Sequence, residues 1–290
     1  MATLSYRPTP VHEIRDPLLA TAGVQLFVKR EDLNHPLVSG NKWWKLKYNL
    51  ENVSQHLSRT VLTFGGAYSN HIFAVAAAAR ELGFTSIGVI RGEETLPLNT
   101  TLQFAREQGM HLHYVSRDDY RKKEDYGFLE ALAKQFGSFV AVPEGGTNIE
   151  AVRGVTEFAE TLDQSFNYYC CPVGTGGTLA GIIRGVPDTK KVIGFSVLKG
   201  EGSLQHDISQ WNLHRQNWQL LTDYHFGGYA KSTPALLQFI EAFKTQHGVP
   251  LEFVYTGKMM AGIFDLVKKG FFERGSTLLA LHTGGLQGKY

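Results

Sequence analysis

Short apolar segments rich in β-branched residues alternate with longer amphipathic segments along most of this 290-residue chain. The two periodicities predict strands and helices, respectively. Strands are predicted at 24–28, 61–64, 86–90, 111–115, 139–142, 168–173, 191–197, 252–255 and 277–281. Helices are predicted at 42–57, 70–82, 100–108, 128–136, 149–162, from the turn at 174–178 to about 184, and at 204–213, 234–247 and 257–269. This order predicts an α/β fold of two domains, with mainly parallel, twisted sheets flanked by helices.

The charge balance and the cysteines limit the classes of function. The 29 basic and 27 acidic residues give a net charge of +2 without a basic run, so the electrostatic signature of nucleic-acid binding is missing. No apolar segment has the length of a signal-peptide core or of a membrane-spanning helix. Cys170 and Cys171 are neighbours in an apolar run, which favours two core residues in a reducing compartment. We therefore expect a cytoplasmic protein with neither a nucleic acid nor a membrane as partner.

Lys42 stands at the start of a predicted helix, directly after the Gly40-Asn41 turn. The positive end of the helix dipole disfavours an ammonium group there, so the neutral, nucleophilic amine is easier to reach. This property suits a lysine that forms a Schiff base. A solvated surface charge is the alternative that the residue alone leaves open.

A glycine-rich turn, Gly174-Thr175-Gly176-Gly177-Thr178, lies between a predicted strand and a predicted helix. Backbone N–H groups in such a turn can form a nest for a phosphate dianion. The lysine of a P-loop is absent after the glycines, and Leu179 stands where a dinucleotide fingerprint needs glycine. The turn therefore indicates either a phosphorylated cofactor without a nucleotide or a plain strand-to-helix connection.

Three further segments, at 65–71, 255–258 and 282–285, also place polar or glycine residues at the carboxyl end of a predicted strand. Open parallel sheets bind ligands at this edge, so four such segments indicate a shared pocket.

Within the first of these segments, Ser69, Asn70 and the helix start at His71 could hold a carboxylate, although helix capping explains the same residues. Tyr229 and Tyr255 are candidates through their neighbours, and packed aromatic rings are the alternative. The 11 histidines show no metal-ligand spacing, so no metal is predicted.

Taken together, the motifs resemble the 1-aminocyclopropane-1-carboxylate deaminase and D-cysteine desulfhydrase family of pyridoxal phosphate enzymes. The resemblance covers about residues 8–285 and rests on the order and spacing of several motifs. They are Lys29-Arg30-Glu31-Asp32, Gly40-Asn41-Lys42 with Lys45, Gly65-Gly66 before Ser69-Asn70-His71, 143–148, 174–178, Tyr255-Thr256-Gly257-Lys258 and His282-Thr283-Gly284-Gly285.

The family has pyridoxal phosphate fold type II, which is tryptophan synthase β-like, and its members are usually homodimers. By this resemblance, residues 1–47 and 147–290 form a larger cofactor-binding domain, and residues 48–146 form a smaller α/β domain.

The resemblance also implies roles for individual residues. Lys42 would form the Schiff base with pyridoxal 5'-phosphate, and Lys45 with the 174–178 turn would hold the phosphate. Asn70 would bind the phenolic oxygen of the cofactor. Ser69, Asn70 and His71 would bind the substrate carboxylate. Tyr255 would lie against the pyridine ring, and Tyr229 would lie near the substrate amino group.

Two positions differ between the branches of the family. The position of Thr256 holds a glutamate in the cyclopropane deaminases and that of Thr283 a leucine, whereas the desulfhydrases have a neutral residue and a threonine. A carboxylate beside the pyridine nitrogen keeps it protonated and makes the ring a deep electron sink. A hydroxyl leaves the nitrogen nearer neutral, which is enough to expel a thiolate. The resemblance therefore favours α,β-elimination of a small amino acid such as D-cysteine to pyruvate, ammonia and sulfide.

Other interpretations stay open. The first is a 1-aminocyclopropane-1-carboxylate deaminase that releases 2-oxobutanoate and ammonia. The second is a pyridoxal phosphate-binding protein without turnover, in which Trp43, Tyr68 or Phe73 blocks the substrate site. These residues and Trp44 depart from the family pattern, and the sequence leaves their effect on the pocket open. The third is an α/β phosphate-binding module without a Schiff base.

Overall fold

Two sheets with helices on their faces make up the part of the chain that the computed structural model describes, residues 4–200 and 202–286. The strands are β1 (Val11–Ile14), β2 (Gln25–Lys29), β3 (Thr60–Gly65), β4 (Thr85–Arg91), β5 (His111–Val115), β6 (Val140–Val142), β7 (Tyr168–Val173), β8 (Lys191–Ser196), β9 (Trp218–Leu221) and β10 (Thr277–Leu281). The α-helices are α1 (Pro17–Ala22), α2 (Asn41–Gln55), α3 (Asn70–Leu82), α4 (Thr100–Glu107), α5 (Arg117–Arg121), α6 (Tyr126–Phe136), α7 (Ile149–Thr161), α8 (Gly177–Gly185), α9 (Leu204–Trp211), α10 (Pro234–His247) and α11 (Thr256–Lys268). Short 3-10 turns lie at Glu31–Leu33, Glu144–Gly146 and Asp223–His225.

One sheet has six strands in the order β1-β2-β10-β7-β8-β9 and is parallel except for the edge pair of β1 and β2. Its central strand β10 pairs Leu278 with Leu26 on one side and with Tyr168 on the other. Cys170 and Cys171 are buried in β7, as the sequence predicts. The other sheet has four parallel strands in the order β5-β4-β3-β6. The prediction of mainly parallel sheets flanked by helices is confirmed.

Glycines let the helices around the six-stranded sheet approach one another closely. A Cβ at Gly154 of α7 would clash with the backbone carbonyl of Trp44 in α2. A Cβ at Gly181 of α8 would lie 2.5 Å from Cβ of Val155 in α7. Because α2 carries Lys42 and α8 begins at the glycine-rich turn, these contacts hold the two candidate site elements at a fixed distance.

Capping residues explain why two helices have the bounds that the sequence predicts. The Oγ of Ser69 accepts hydrogen bonds at the start of α3, and Gly83 in the left-handed region follows its last residue. Thr233 caps α10, whose first residue is Pro234.

The predicted strand at 252–255 is wrong. The carboxylate of Glu252 accepts hydrogen bonds from the backbone N–H groups of Val254, Tyr255 and Thr256, so this segment forms a turn into α11. The β-rich composition of the segment gives no sign of this local bonding. The sequence also did not predict β1, α1, α5 and β9, which are short or largely exposed.

No helix in the described part of the chain is long and apolar enough to cross a membrane. Among residues 4–200 and 202–286, no group of three or more His, Cys, Asp or Glu side chains is arranged to hold a metal ion.

Candidate active site

A cavity of about 700 Å³ lies at the carboxyl ends of strands from both sheets. Most of the predicted site residues line it, including members of the segments after β3, β7 and β10. The predicted residues in its wall are Lys42, Lys45, Ser69, Asn70, His71, Gly174, Thr175, Gly176, Thr178, Tyr229, Tyr255 and Thr283, whereas Gly177 and Thr256 are not in it.

Lys42 is the second residue of α2, and the turn before it requires glycine. Gly40 has φ of +70°, and a Cβ there would clash with the backbone carbonyl of Thr283. The turn is thereby held against the segment that follows β10. Burial lowers the pKa of Lys42 from 10.5 to about 8. The predicted direction of the shift is right, and loss of water is its cause.

Lys45 lies one helical turn further along α2 and is 2 % exposed. Its ammonium donates hydrogen bonds to Oγ1 of Thr147 at 2.8 Å and of Thr175 at 3.5 Å. Burial, followed by the charge of Lys42, holds the pKa of Lys45 well below its usual range. No carboxylate of the described residues lies within 4.0 Å of this amine. An anion in the cavity would therefore stabilise its charged form.

The turn after β7 provides a matching set of backbone donors. Gly176, with φ of +83°, precedes the first residue of α8, and no side chain caps the helix. The first N–H groups of α8 are thus open to an anion. A Cβ at Gly177 would lie 2.9 Å from Cγ2 of Thr147 and 3.3 Å from Nζ of Lys45, so a larger residue would intrude beside the amine.

Asn41 links the two elements of the site. Its Nδ2 donates a 2.8 Å hydrogen bond to Oγ1 of Thr178, and its Oδ1 lies 3.4 Å from Nζ of Lys42. The lysine turn and the glycine-rich turn are therefore joined directly.

Two tyrosines of the cavity wall contact each other. The rings of Tyr229 and Tyr255 meet edge to face at 6.1 Å. A Cβ at Gly174 would lie 3.1 Å from the ring of Tyr255, so glycine allows this ring to lie close to the turn. Burial raises the pKa of Tyr229, which keeps its hydroxyl protonated at neutral pH.

At the start of α3, the Ser69 hydroxyl already accepts hydrogen bonds from the helix backbone. The backbone N–H groups of His71 and Ile72 donate to Oγ of Ser69 at 3.2 and 3.3 Å, so Ser69 is a helix cap. Its hydroxyl proton can still be donated to a carboxylate in the cavity. His71 is buried and its Nε2 lies 2.8 Å from Oγ1 of Thr63, while burial holds its pKa well below 6.5. His71 is therefore neutral.

The two candidate threonines occupy different places. Thr283 lines the cavity, directly after His282, whose Nε2 lies 2.7 Å from the carbonyl oxygen of Pro250. Thr256 is fully buried, and its hydroxyl lies 3.1 Å from Oε1 of Glu252.

The two tryptophans that follow Lys42 lie outside the wall of the main cavity. The indole N–H of Trp43 donates to the carbonyl of Ser5 at 3.0 Å, and that of Trp44 donates to Oε2 of Glu31 at 2.8 Å. Both rings are buried, and Trp44 stacks on Phe158. These contacts place both indoles in the core.

Phe73 and Tyr68 also differ from the family pattern, and of these two Tyr68 lines the cavity. The ring of Phe73 stacks on Phe104 at 3.7 Å between centroids, within the core. Tyr68 lines the cavity and is 51 % exposed. Its sequence position before the Ser69 cap places it in the wall.

These residues fit a phosphorylated carbonyl cofactor. Lys42 offers an amine whose pKa is low enough for attachment near neutral pH. Lys45 and the uncapped start of α8 offer a cation and backbone donors for a phosphate. Tyr255, whose ring lies against Gly174, offers an aromatic surface in the wall of the same cavity.

A family model for pyridoxal-phosphate dependent enzymes matches residues 2–284 of the chain. The chain belongs to this family. Pyridoxal phosphate is thus the cofactor that the geometry of Lys42 and Lys45 accommodates.

Known relatives of this pyridoxal-phosphate dependent enzyme carry two activity names. A bifunctional D-cysteine desulfhydrase/1-aminocyclopropane-1-carboxylate deaminase of Arabidopsis thaliana is 31% identical over 318 residues, with 99% of this chain and 79% of the relative covered. A D-cysteine desulfhydrase of Salmonella choleraesuis is 28% identical, with 96% and 92% covered. The crystal structure of an ACC deaminase homologue superimposes with a TM-score of 0.84 at 28% identity, covering 99% of this chain and 92% of that one. The predicted fold type II is confirmed.

Sequence reasoning missed two residues of the site in this pyridoxal-phosphate dependent enzyme. Thr147 follows the Gly145-Gly146 turn after β6, and the same strand-end argument that selected the other segments would have selected it. Glu252 holds the turn before α11, and no local pattern marks a buried carboxylate of this kind.

Proposed function

We propose that this enzyme catalyses α,β-elimination on a small amino acid, in the manner of a D-cysteine desulfhydrase. The observation that carries the proposal is Lys42, a cavity lysine with a pKa of about 8, one helical turn from Lys45 and in the same cavity as the turn that precedes the uncapped α8. A lysine of that pKa is partly neutral at physiological pH and can therefore act as a base. The two relatives named as D-cysteine desulfhydrases support the choice of substrate class.

The cofactor would be held by Lys42 through its aldehyde and by Lys45 with the 174–178 turn through its phosphate. Asn70 is proposed to contact its phenolic oxygen and Tyr255 its ring. Pyridoxal phosphate, when bound, supplies an electron sink for the bond electrons at Cα of the substrate.

The protein residues would then orient the substrate and move its proton. The hydroxyl of Ser69, with Asn70 and the start of α3 at His71, is proposed to bind the α-carboxylate. Tyr229, which lines the same cavity, is proposed to contact the amino group. The amine of Lys42 removes the Cα proton. The β-substituent leaves with its bonding electrons as a double bond forms between Cα and Cβ, and the 2-aminoacrylate product hydrolyses to pyruvate and ammonia.

Thr283 is our candidate for the residue beside the pyridine nitrogen, because it lines the cavity, whereas Thr256 lies outside the cavity wall and its hydroxyl donates to Glu252. A hydroxyl there holds the nitrogen less firmly protonated than a carboxylate would. Expulsion of a thiolate needs less electron withdrawal than opening of a cyclopropane ring, so this choice favours elimination.

The competing activity is that of a 1-aminocyclopropane-1-carboxylate deaminase, a name that the Arabidopsis relative also carries. Incubation of the holoenzyme with D-cysteine and, separately, with the cyclopropane acid distinguishes the two. We expect sulfide and pyruvate from D-cysteine. Formation of 2-oxobutanoate from the cyclopropane acid without sulfide from D-cysteine would contradict the proposal. A protein without turnover would bind the cofactor and produce neither product.

We further propose a homodimer, a cytoplasmic location, and a division of the chain into a domain of residues 1–47 and 147–290 and a domain of residues 48–146. The resemblance to the family supports the dimer, and light scattering on the purified protein tests it. The strands of the four-stranded sheet all fall between 60 and 142, which supports the division. The buried, unpaired Cys170 and Cys171 favour a reducing compartment.

A further inference from the structure

The outer part of the cavity carries more positive charge than the cofactor requires. Arg91, Arg117 and Lys231 line it in addition to the two lysines of α2. Among the described residues that line the cavity, one is acidic, Glu144, and its carboxylate lies 3.6 Å from the ammonium of Lys123. The wall is therefore strongly cationic.

Two of these cations are brought together by the four-stranded sheet. Arg91 is the last residue of β4 and is in register with Val115, the last residue of β5. Arg117 begins α5 just beyond that strand. Both side chains are exposed at the carboxyl edge of the parallel sheet, where such sheets bind ligands.

Arg91 also lies beside the segment that leads to the carboxylate-binding residues. Its Nη2 is 3.5 Å from the position that a Cβ would take at Gly66, and its guanidinium lies 5.6 Å from the ring centre of Tyr120. Within the described part of the chain, no carboxylate comes within 4.0 Å of Arg91 or Arg117. Their donors are therefore directed at the cavity or at water.

The other anions of the reaction already have partners. Lys45 and the start of α8 suit the phosphate, and the Ser69 segment suits the α-carboxylate. The guanidinium groups of Arg91 and Arg117 have no partner among these anions. Guanidinium groups bind carboxylates, sulfonates and phosphates through bidentate hydrogen bonds.

We propose that the β-substituent of the natural substrate carries a second acidic group, which Arg91 and Arg117 bind. This inference rests on the proposed elimination. The leaving group is then an anionic thiol: the Cα proton goes to Lys42, the Cβ–S bond breaks, and sulfur departs with the bonding pair. With one water, the products are the thiol acid, pyruvate and ammonia.

A matched pair of substrates tests the site. S-carboxymethylcysteine and its uncharged analogue S-carbamoylmethylcysteine have nearly the same shape, and both enantiomers of each are assayed for pyruvate. We expect kcat/KM for the acid to exceed that for the amide by about tenfold or more, since charged hydrogen bonds are involved. Arg91→Gln and Arg117→Gln should each remove most of this preference.

Arg121→Gln is the matched control. Arg121 is in the same helix as Arg117 but pairs with Asp118 on the exposed face, so this change should leave the preference intact. Equal kcat/KM values for acid and amide, or a preference that survives both cavity substitutions, would overturn the inference.

Binding of a compound that cannot react provides a second readout. In 2-aminoadipate a methylene replaces the sulfur, so no group can leave, and its side-chain amide serves as the uncharged partner. Calorimetry on the holoenzyme should show tighter binding of the acid, lost in Arg91→Gln and retained in Arg121→Gln. If cysteine yields pyruvate but no compound shows a charge preference, the inference fails and the elimination stands. If no compound yields pyruvate, the elimination itself fails.

Discussion

Lys42 and Lys45 lie one turn apart on the same helix and differ in what surrounds them. Lys42 faces the cavity beside Asn41, whereas Lys45 is buried and donates to the hydroxyls of Thr147 and Thr175. The surroundings of Lys42 suit a reactive neutral amine, and those of Lys45 suit an ammonium that binds an anion. The two environments thus suit the same type of side chain to the two roles that we propose.

The pKa of Lys42 predicts how the apoprotein captures its cofactor. Because burial lowers the pKa of Lys42 from 10.5 to about 8, its neutral amine becomes the major form above about pH 8. The rate of pyridoxal phosphate capture should therefore rise about tenfold for each pH unit below 8 and level off above it. Stopped-flow absorbance between pH 6 and 10 measures this. A rate that still rises steeply from pH 9 to 10 would indicate an ordinary lysine.

Trp44 is predicted to matter for stability and not for catalysis. Trp44→Phe removes the donor to the buried carboxylate of Glu31 and should lower the free energy of unfolding by about 1–3 kcal/mol. Because the indole is outside the main cavity, kcat/KM should stay within about twofold of the parent. Urea unfolding and the pyruvate assay measure the two quantities.

Tyr68→Ala is the complementary variant, since Tyr68 lines the cavity. It should change KM and leave the unfolding midpoint nearly unchanged. If Trp44→Phe changed KM instead, the result would indicate that the tryptophans shape the pocket.

At the scale of elements, glycines set the distance between the helices that carry the site. Gly154→Ala would drive a Cβ into the backbone carbonyl of Trp44, which cannot move without displacing α2. We expect a loss of more than about 3 kcal/mol of stability, the upper part of the range for overpacking. Thermal unfolding of the apoprotein measures it.

Gly127→Ala in α6 is the control for this variant. A Cβ at Gly127 meets nothing within 4 Å, so alanine there should be neutral or stabilising by up to about 1 kcal/mol. Similar effects of the two substitutions would contradict the role assigned to the contact between α2 and α7.

Elements with local signals were predictable from the sequence. Helices α3 and α10 begin at capping residues, Ser69 and Thr233, and their bounds match the predicted ones. The segment at 252–255 misled the prediction, because a side-chain carboxylate there captures backbone donors that a strand would have used. Strand β1 was not predicted, because three of its four residues are exposed.

The site was predictable to the extent that it follows strand ends. The residues after β3, β7 and β10 line one cavity, as the parallel-sheet rule requires. The direction in which a helical side chain points was harder to foresee. Trp43 and Trp44 follow Lys42 directly in sequence, yet successive residues of a helix face different directions, so their rings enter the core.

At the scale of the whole molecule, the cavity joins both sheets, and a bound cofactor would contact elements from each. Ligand binding to the folded state alone adds about 4 kcal/mol at a thousandfold excess over Kd. Pyridoxine 5'-phosphate, which lacks the aldehyde, should raise the Tm through Lys45 and the start of α8. Pyridoxal, which lacks the phosphate, should raise it much less at the same concentration. Equal shifts in differential scanning fluorimetry would contradict the assigned phosphate site.

Lys42 is the residue that we propose to carry the cofactor. Borohydride reduction of the holoenzyme, followed by proteolysis and mass spectrometry, fixes the cofactor to the lysine that holds it. We predict a single labelled peptide that contains Lys42, with Lys45 and Lys258 unmodified, although burial lowers the pKa of all three. Label on either of the other two lysines, or no label at all, would contradict the account.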